Sequence, residues 1–188
     1  ELQTEAVERA VARIRATGAQ IRTQSPVLSH INDSSAIWAE MWRRQVQLGM
    51  IPYYMFVVRD TGAQHYFGVP LERAWEIFRG AYSQVSGLSR TVRGPSMSAH
   101  PGKVQVLGVS SVRNQKVFTL RFIQGRDPDW VHRPFFAQYD PEAVWLDDLK
   151  PAFGEERFFF EGKATPSRHH AGRHAIRHTR AGRKQVVA

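Results

Sequence analysis

The sequence predicts an α/β fold whose final part turns β-rich. Amphipathic helical stretches alternate with short apolar runs over residues 1–88, and an order of α, β, α, β, α implies parallel strands joined by crossover helices. Ile51 to Val58 is a nearly unbroken apolar run, the pattern of a parallel-sheet strand covered on both faces. After Gly87 the texture changes to short β-type runs separated by turn residues.

Leu2, Ala6, Val7, Ala10, Val11 and Ile14 recur at helical intervals and define a first helix ending near Gly18. Ile21 to Ser29 is β-capable despite Pro26. Asn32, Asp33 and Ser34 supply cap-type side chains for a second helix, with Ile37, Trp38, Met41, Trp42 and Leu48 as its expected buried set and Gly49 as its stop. Ile51 to Val58 follows, then a turn at Asp60-Thr-Gly. A third helix from Leu71 to Tyr82 is opened by Pro70 and buries Leu71, Trp75, Ile77, Phe78 and Tyr82. Ser89 to Arg93, Lys103 to Leu107 and Lys116 to Ile123 are the later β-type runs, the last two joined by a hairpin turn at Arg113-Asn114-Gln115. Residues 125–162 are rich in Pro, Asp and aromatic residues, an irregular segment expected to pack on the body. The reading divides the chain into an α/β unit over 1–88, an extension over 89–162 and a tail over 163–188.

Size and composition, with 188 residues, 42% hydrophobic and 11% aromatic, fit a globular protein with a sizeable core. A first residue of Glu keeps a fragment of a larger domain in view. The net charge of +9 is concentrated in the tail. Residues 163–188 hold seven Lys or Arg, no acid and four of the eight histidines, which leaves nineteen bases against seventeen acids before them. That tail has few apolar residues and is expected to be disordered in isolation. The near-neutral body argues against a dedicated nucleic-acid face; contact with nucleic acid is expected only weakly, through the tail. The absence of cysteine excludes disulfides, thiolate metal sites and a Cys nucleophile on this chain. No apolar run long enough to span a membrane and no secretory leader appear, so no membrane contact and a cytoplasmic setting are expected.

Chemistry is most legible at Arg93-Gly-Pro-Ser-Met-Ser-Ala-His-Pro-Gly-Lys103, where a lysine directly follows a Pro-Gly turn at the mouth of an α/β unit. Such an amine can hold an aldehyde as a Schiff base if it is neutral, a state favoured by desolvation or neighbouring positive charge. On its own, the residue reads first as a solvated turn lysine. Gln24 reads as a strand-end hydrogen-bonding residue, Arg59 as an exposed strand-end charge and His100 as a solvated turn histidine. Asp147 and Asp148 read as a solvated loop pair. The tail histidines lack a frame that would impose metal geometry.

Three ordered stretches, Arg22 to Asp33 (RTQSPVLSHIND), Ile51 to Asp60 (IPYYMFVVRD) and Pro95 to Lys103 (PSMSAHPGK), with His65 to Pro70 (HYFGVP) between the last two, resemble the lysine 2,3-aminomutase family of radical S-adenosylmethionine (SAM) enzymes. The resemblance covers roughly residues 1–110. It implies the last two βα units of a partial (βα)6 barrel followed by a C-terminal extension. It also implies an amino-group 1,2-shift on a small amino acid, with pyridoxal phosphate, SAM and a [4Fe-4S] cluster as cofactors. The cysteines of that cluster lie in an earlier part of the family's sequences, so this chain alone is expected to be inactive.

By the same resemblance, Lys103 takes the place of the lysine that binds pyridoxal phosphate, although the family's glycine run is here Ala99-His-Pro-Gly102 and Pro101 removes a backbone donor. Gln24 matches a glutamine near the SAM ribose, which an amide can address as both donor and acceptor. Phe56 falls where lysine-acting members carry Tyr. The two aspartates that hold the distal ammonium of lysine fall on Arg59 and Ser96, and Arg suits a carboxylate rather than an ammonium. The implied substrate is therefore an amino acid other than lysine, with a distal acid; a one-residue shift of register through Asp60 would restore an acidic partner. Three readings stay open: an aminomutase-like enzyme, a binding module with a polyanion-contacting tail, and a family member that lost the activity. A homo-oligomer is left open as well.

Overall fold

A computed structural model describes residues 2–59 and 61–162. Glu1, Asp60 and the basic tail lie outside the described residues, and with them the register alternative through Asp60 and the readings of the tail as disordered, histidine-rich and polyanion-binding.

Four helices and six strands follow in the order α1 (Glu5–Ala16), β1 (Arg22–Val27), α2 (Ser35–Gln47), β2 (Ile51–Val57), α3 (Gln64–Phe67), α4 (Leu71–Ser83), β3 (Arg93–Ala99), β4 (Gly102–Val112), β5 (Gln115–Gly125) and β6 (Pro134–Gln138). All six strands form one sheet in sequence order. β1 with β2 and β2 with β3 are parallel, each pair joined across a helix. From β3 onward every pairing is antiparallel.

This arrangement corrects the expected partial (βα)6 barrel with an appended extension. Parallel neighbours need a crossover of a dozen residues or so. Only His100 and Pro101 separate β3 from β4, and only Arg113 and Asn114 separate β4 from β5. Connections that short force a reversal, so the later strands continue the same sheet as hairpins. Arg113 and Asn114 both adopt positive φ, at 50° and 63°, as a two-residue hairpin turn requires.

Other local expectations also shift. Ser89 lies in a 3-10 turn over Gly87–Thr91, and the third strand begins at Arg93 instead. That strand runs through Gly94 and Pro95, residues that read as a break in sequence. At Gly94 a Cβ would come within 2.5 Å of the Met55 carbonyl, so the close approach of β3 to β2 requires glycine there. Within residues 125–162, Pro134–Gln138 is a sixth strand paired with β5.

Two apolar clusters hold the sheet. Under α2 and α4, Trp38, Trp42, Ala74, Ile77 and Ala81 pack on Val27 and Met55. Farther along, Val104, Val106, Phe118, Leu120, Phe122 and Phe135 are covered by Trp145, Leu146, Leu149, Phe158 and Phe160. Each fully buried large side chain contributes about 1.5–3 kcal/mol of burial free energy. Periodicity misassigned two faces. Ile37 is 45% exposed, and along α1 only Val11 is buried while Ile14 is 49% exposed. α1 is instead docked by polar contacts, Glu8 with Arg44 and Gln3 with Glu40.

The two faces of the parallel part differ. Along β1, Thr23, Ser25 and Val27 are more buried, and Thr23 donates to Gln45 of α2 at 2.8 Å, so this side meets the helices. Arg22, Gln24 and Pro26 alternate with them and are exposed on the opposite side. α2 and α4 pack on the first of these sides; on the other, Tyr54 of β2 is still only 4% exposed, covered by the side chains of Phe56, Arg93 and Lys103 rather than by a helix, so β2 is buried on both faces there as expected.

Candidate functional site

The C-terminal ends of parallel strands are where open α/β sheets gather ligands. Here the ends of β1 and β2 and the hairpin from β3 to β4 enclose a cleft of about 490 Å³ whose walls include Gln24, Pro26, Phe56, Arg59, Ser98 and Lys103. A second hollow of about 290 Å³ lies beside it, lined by His100, Gly102, Gln124 and Arg126 and sharing Ser98 and Lys103 with the first.

Lys103 is set by strand pairing. It faces Ser98 across the hairpin and Gln124 on β5. Gly102 before it has φ 151°, and a Cβ there would meet the Gln124 carbonyl at 2.2 Å, so the turn that delivers Lys103 admits no side chain. Pro101, which removes a donor, keeps its carbonyl engaged by the Arg126 amide at 3.1 Å. The Lys103 ammonium nitrogen rests 4.1 Å from the centre of the Tyr54 ring and 5.2 Å from that of Phe56. Those two rings stack on each other at 5.2 Å and 18°. An amine against two aromatic faces is partly stripped of water and held toward the cleft.

The structure therefore brings Lys103, Gln24 and Arg59 to one cleft. It does not bring Ser96 there. Ser96 is fully buried, and its hydroxyl donates to the Met55 carbonyl at 3.4 Å. Two residues further along the strand, Ser98 lines the cleft instead. His100 lies in the neighbouring hollow beside Lys103, and Asp148 caps a 3-10 turn by accepting from the amides of Val144 and Trp145 at 3.0 and 2.9 Å.

No acidic side chain lines either hollow among the described residues, whereas Arg59, Lys103 and Arg126 do. An electropositive cleft with the Phe56 ring in its wall suits a ligand with anionic groups and a flat ring. Sequence reasoning did not single out Tyr54 or Arg93 as parts of this face. Period-two alternation along β2 is the signal that finds Tyr54, since it shares a side with Phe56.

No protein-family profile matches the chain. It is 28% identical over 159 residues to a protein of Aquifex aeolicus (strain VF5) named "Putative L-lysine 2,3-aminomutase", a match covering 85% of this chain and 41% of that protein. A second Aquifex aeolicus protein of the same name is 24% identical over 104 residues, covering 55% of this chain and 28% of the relative. The chain thus spans well under half the length of these relatives. Over 85% of its length the chain is similar to one protein named "Putative L-lysine 2,3-aminomutase", and over 55% of its length to a second of the same name.

Proposed function

We propose that this chain is the cofactor-holding part of an aminomutase-like isomerase, one that moves an amino group between adjacent carbons of an amino acid. The observation that carries this reading is the Lys103 amine lying against Tyr54 and Phe56 at the cleft that also receives Gln24 and Arg59. The relatives' names support the reaction class.

The residues present fit pyridoxal phosphate: an amine, the Phe56 ring backed by Tyr54, and a cationic lining without acids meet at one cleft. When bound, that group supplies an aldehyde that takes up amino groups and a conjugated ring that stabilises charge or an unpaired electron next to it. Lys103 would be the residue that holds this group, its amine placed at the cleft to meet the aldehyde carbon and to receive it again after turnover. Tyr54 and Phe56 exclude water from that amine. Gln24, within β1 and exposed at the cleft, offers an amide donor and acceptor to the ribose hydroxyls of SAM. Arg59 holds the far end of the substrate, and a guanidinium there selects a distal carboxylate.

The iron-sulfur cluster does not fit the residues present. The chain has no cysteine, and no group of three His, Asp or Glu among the described residues could hold a metal. No step of this chain's chemistry is routed through the cluster; in this proposal the radical-generating part lies on other residues of the intact protein.

Borohydride reduction of the intact protein after incubation with pyridoxal phosphate tests the assignment. The reading expects a stable mass adduct mapped to Lys103, lost in Lys103→Ala. An adduct elsewhere, or one undiminished in that variant, overturns it.

A further inference from the structure

We propose that Arg22 and Arg93, gathered on Tyr53 and Tyr54, form a binding subsite for a phosphate monoester dianion on the helix-free face of the sheet. β1, β2 and β3 each contribute. Arg22 lies on β1 opposite Ile51, and Arg93 lies on β3 opposite Tyr54. The strands flanking β2 are roughly 10 Å apart, yet both side chains turn inward onto β2. The guanidinium carbon of Arg22 is 5.3 Å from the Tyr53 ring centre, and that of Arg93 is 5.4 Å from the same centre. Arg93 also lies 5.9 Å from the Tyr54 ring and donates to the Tyr54 hydroxyl at 3.4 Å.

Neither guanidinium has a carboxylate partner among the described residues. A third cation, Lys103, rests on the Tyr54 ring from the other end of the same strip. Like charges drawn to shared aromatic faces repel one another unless an anion lies between them, and ring faces compensate only partly. The guanidinium fork matches phosphate geometry, with N–H groups left over after the single bond to Tyr54. Two fixed positive groups match a dianion, whereas a carboxylate would satisfy only one of them.

The phosphate has two sources. It belongs either to the aldehyde compound held at Lys103, in which case the inference rests on the reading above, or to a separate phosphorylated molecule. Binding of inorganic phosphate to the intact protein, followed by phosphorus NMR, tests the subsite without reference to Lys103. Arg22→Gln and Arg93→Gln are each expected to weaken it about ten- to a hundredfold. The lysine replacements, which keep charge without the fork, should recover part of the loss. No binding in the wild type, or binding unchanged in both glutamine variants, overturns the proposal.

Borohydride-fixed adducts with pyridoxal phosphate and with unphosphorylated pyridoxal separate the sources. Selective weakening of the phosphorylated compound in Arg93→Gln supports the cofactor's phosphate. Equal capture of both aldehydes, with phosphate binding still lost, supports a separate ligand. If no aldehyde is captured at Lys103 but phosphate binding depends on Arg22 and Arg93, the Lys103 reading fails and the subsite stands.

Discussion

Arg59 and Lys103 line one cleft, and in the proposed function the amine serves a carbonyl and the guanidinium an acid. The intact protein given lysine or glutamate should show a productive spectral response to glutamate, and Arg59→Gln should reduce it by about tenfold or more through loss of a charge-assisted contact. A productive response to lysine alone would sink the distal-acid assignment. A second residue-scale cluster sits away from the cleft, where Glu72 accepts from the Tyr139 hydroxyl and from Lys116 at 3.0 Å, with Lys116 also lying 3.5 Å from the Tyr139 ring centre. The Tyr139 bond first, then the Lys116 bond, hold the Glu72 carboxyl below its ordinary 4.5 against a smaller opposing effect of burial. A lowered carboxyl stabilises the fold fully above its unfolded value, and that stability is lost as pH falls through the folded one. Melting temperature against pH should therefore fall below about pH 4.5 more steeply for the wild type than for Glu72→Gln, by an amount set by about 0.5–1 kcal/mol. Parallel curves would show that the cluster is not linked to folding.

At the scale of elements, the hairpin from β3 to β4 both turns the sheet antiparallel and presents Lys103. Its narrowest point is Gly102, where a methyl group would strike the Gln124 carbonyl. Gly102→Ala is expected to cost about 1–3 kcal/mol by urea denaturation and to weaken the Lys103 adduct in the same protein. Loss of stability with undiminished adduct would show that the turn does not position the lysine. The turn of this hairpin was legible in sequence as Pro-Gly before Lys103, as was the next hairpin, from β4 to β5, through Arg113-Asn114 between two β-type runs. β3 itself was not, because Gly94 and Pro95 read as a break and only the neighbouring backbone of β2 explains why they are tolerated within a strand. Ser96 was placed at the substrate by counting back from Lys103, but it sits in mid-strand between Phe56 of β2 and Gln105 of β4 with its hydroxyl on the Met55 carbonyl, whereas Ser98, on the same side but nearer the turn and opposite Lys103, reaches the cleft.

For the whole molecule, one sheet links two apolar clusters, with Trp38 and Trp42 in one and Phe118 at the heart of the other. Phe118 is fully buried, so Phe118→Ala should cost about 3–5 kcal/mol. Because hydrogen bonding is continuous from β1 to β6, near-ultraviolet signals from the Trp38–Trp42 pair should shift with far-ultraviolet strand signal in a single transition. Separate midpoints would show that the clusters fold as independent units. No helix among the described residues is long and apolar enough to cross a membrane.

The sequence by itself determined the local pieces: α2 and α4 from their periodicity, the parallel character of β1 and β2 from the helix between them, and a lysine set directly after a Pro-Gly turn. These are short-range properties, written in spacing and in residues with special backbone needs. Only the tertiary structure decided that β4 to β6 extend the same sheet, that Ile37 and Ile14 face outward and that Ser96 is interior. It also decided that Arg22, Tyr53, Tyr54, Arg93 and Lys103 share one face without a helix over it, the neighbours Tyr53 and Tyr54 together because a bulge opposite Thr23 and Gln24 adds one residue to β2. Period two tells which residues share a side of a strand, whereas which side is left uncovered depends on elements far away in the chain.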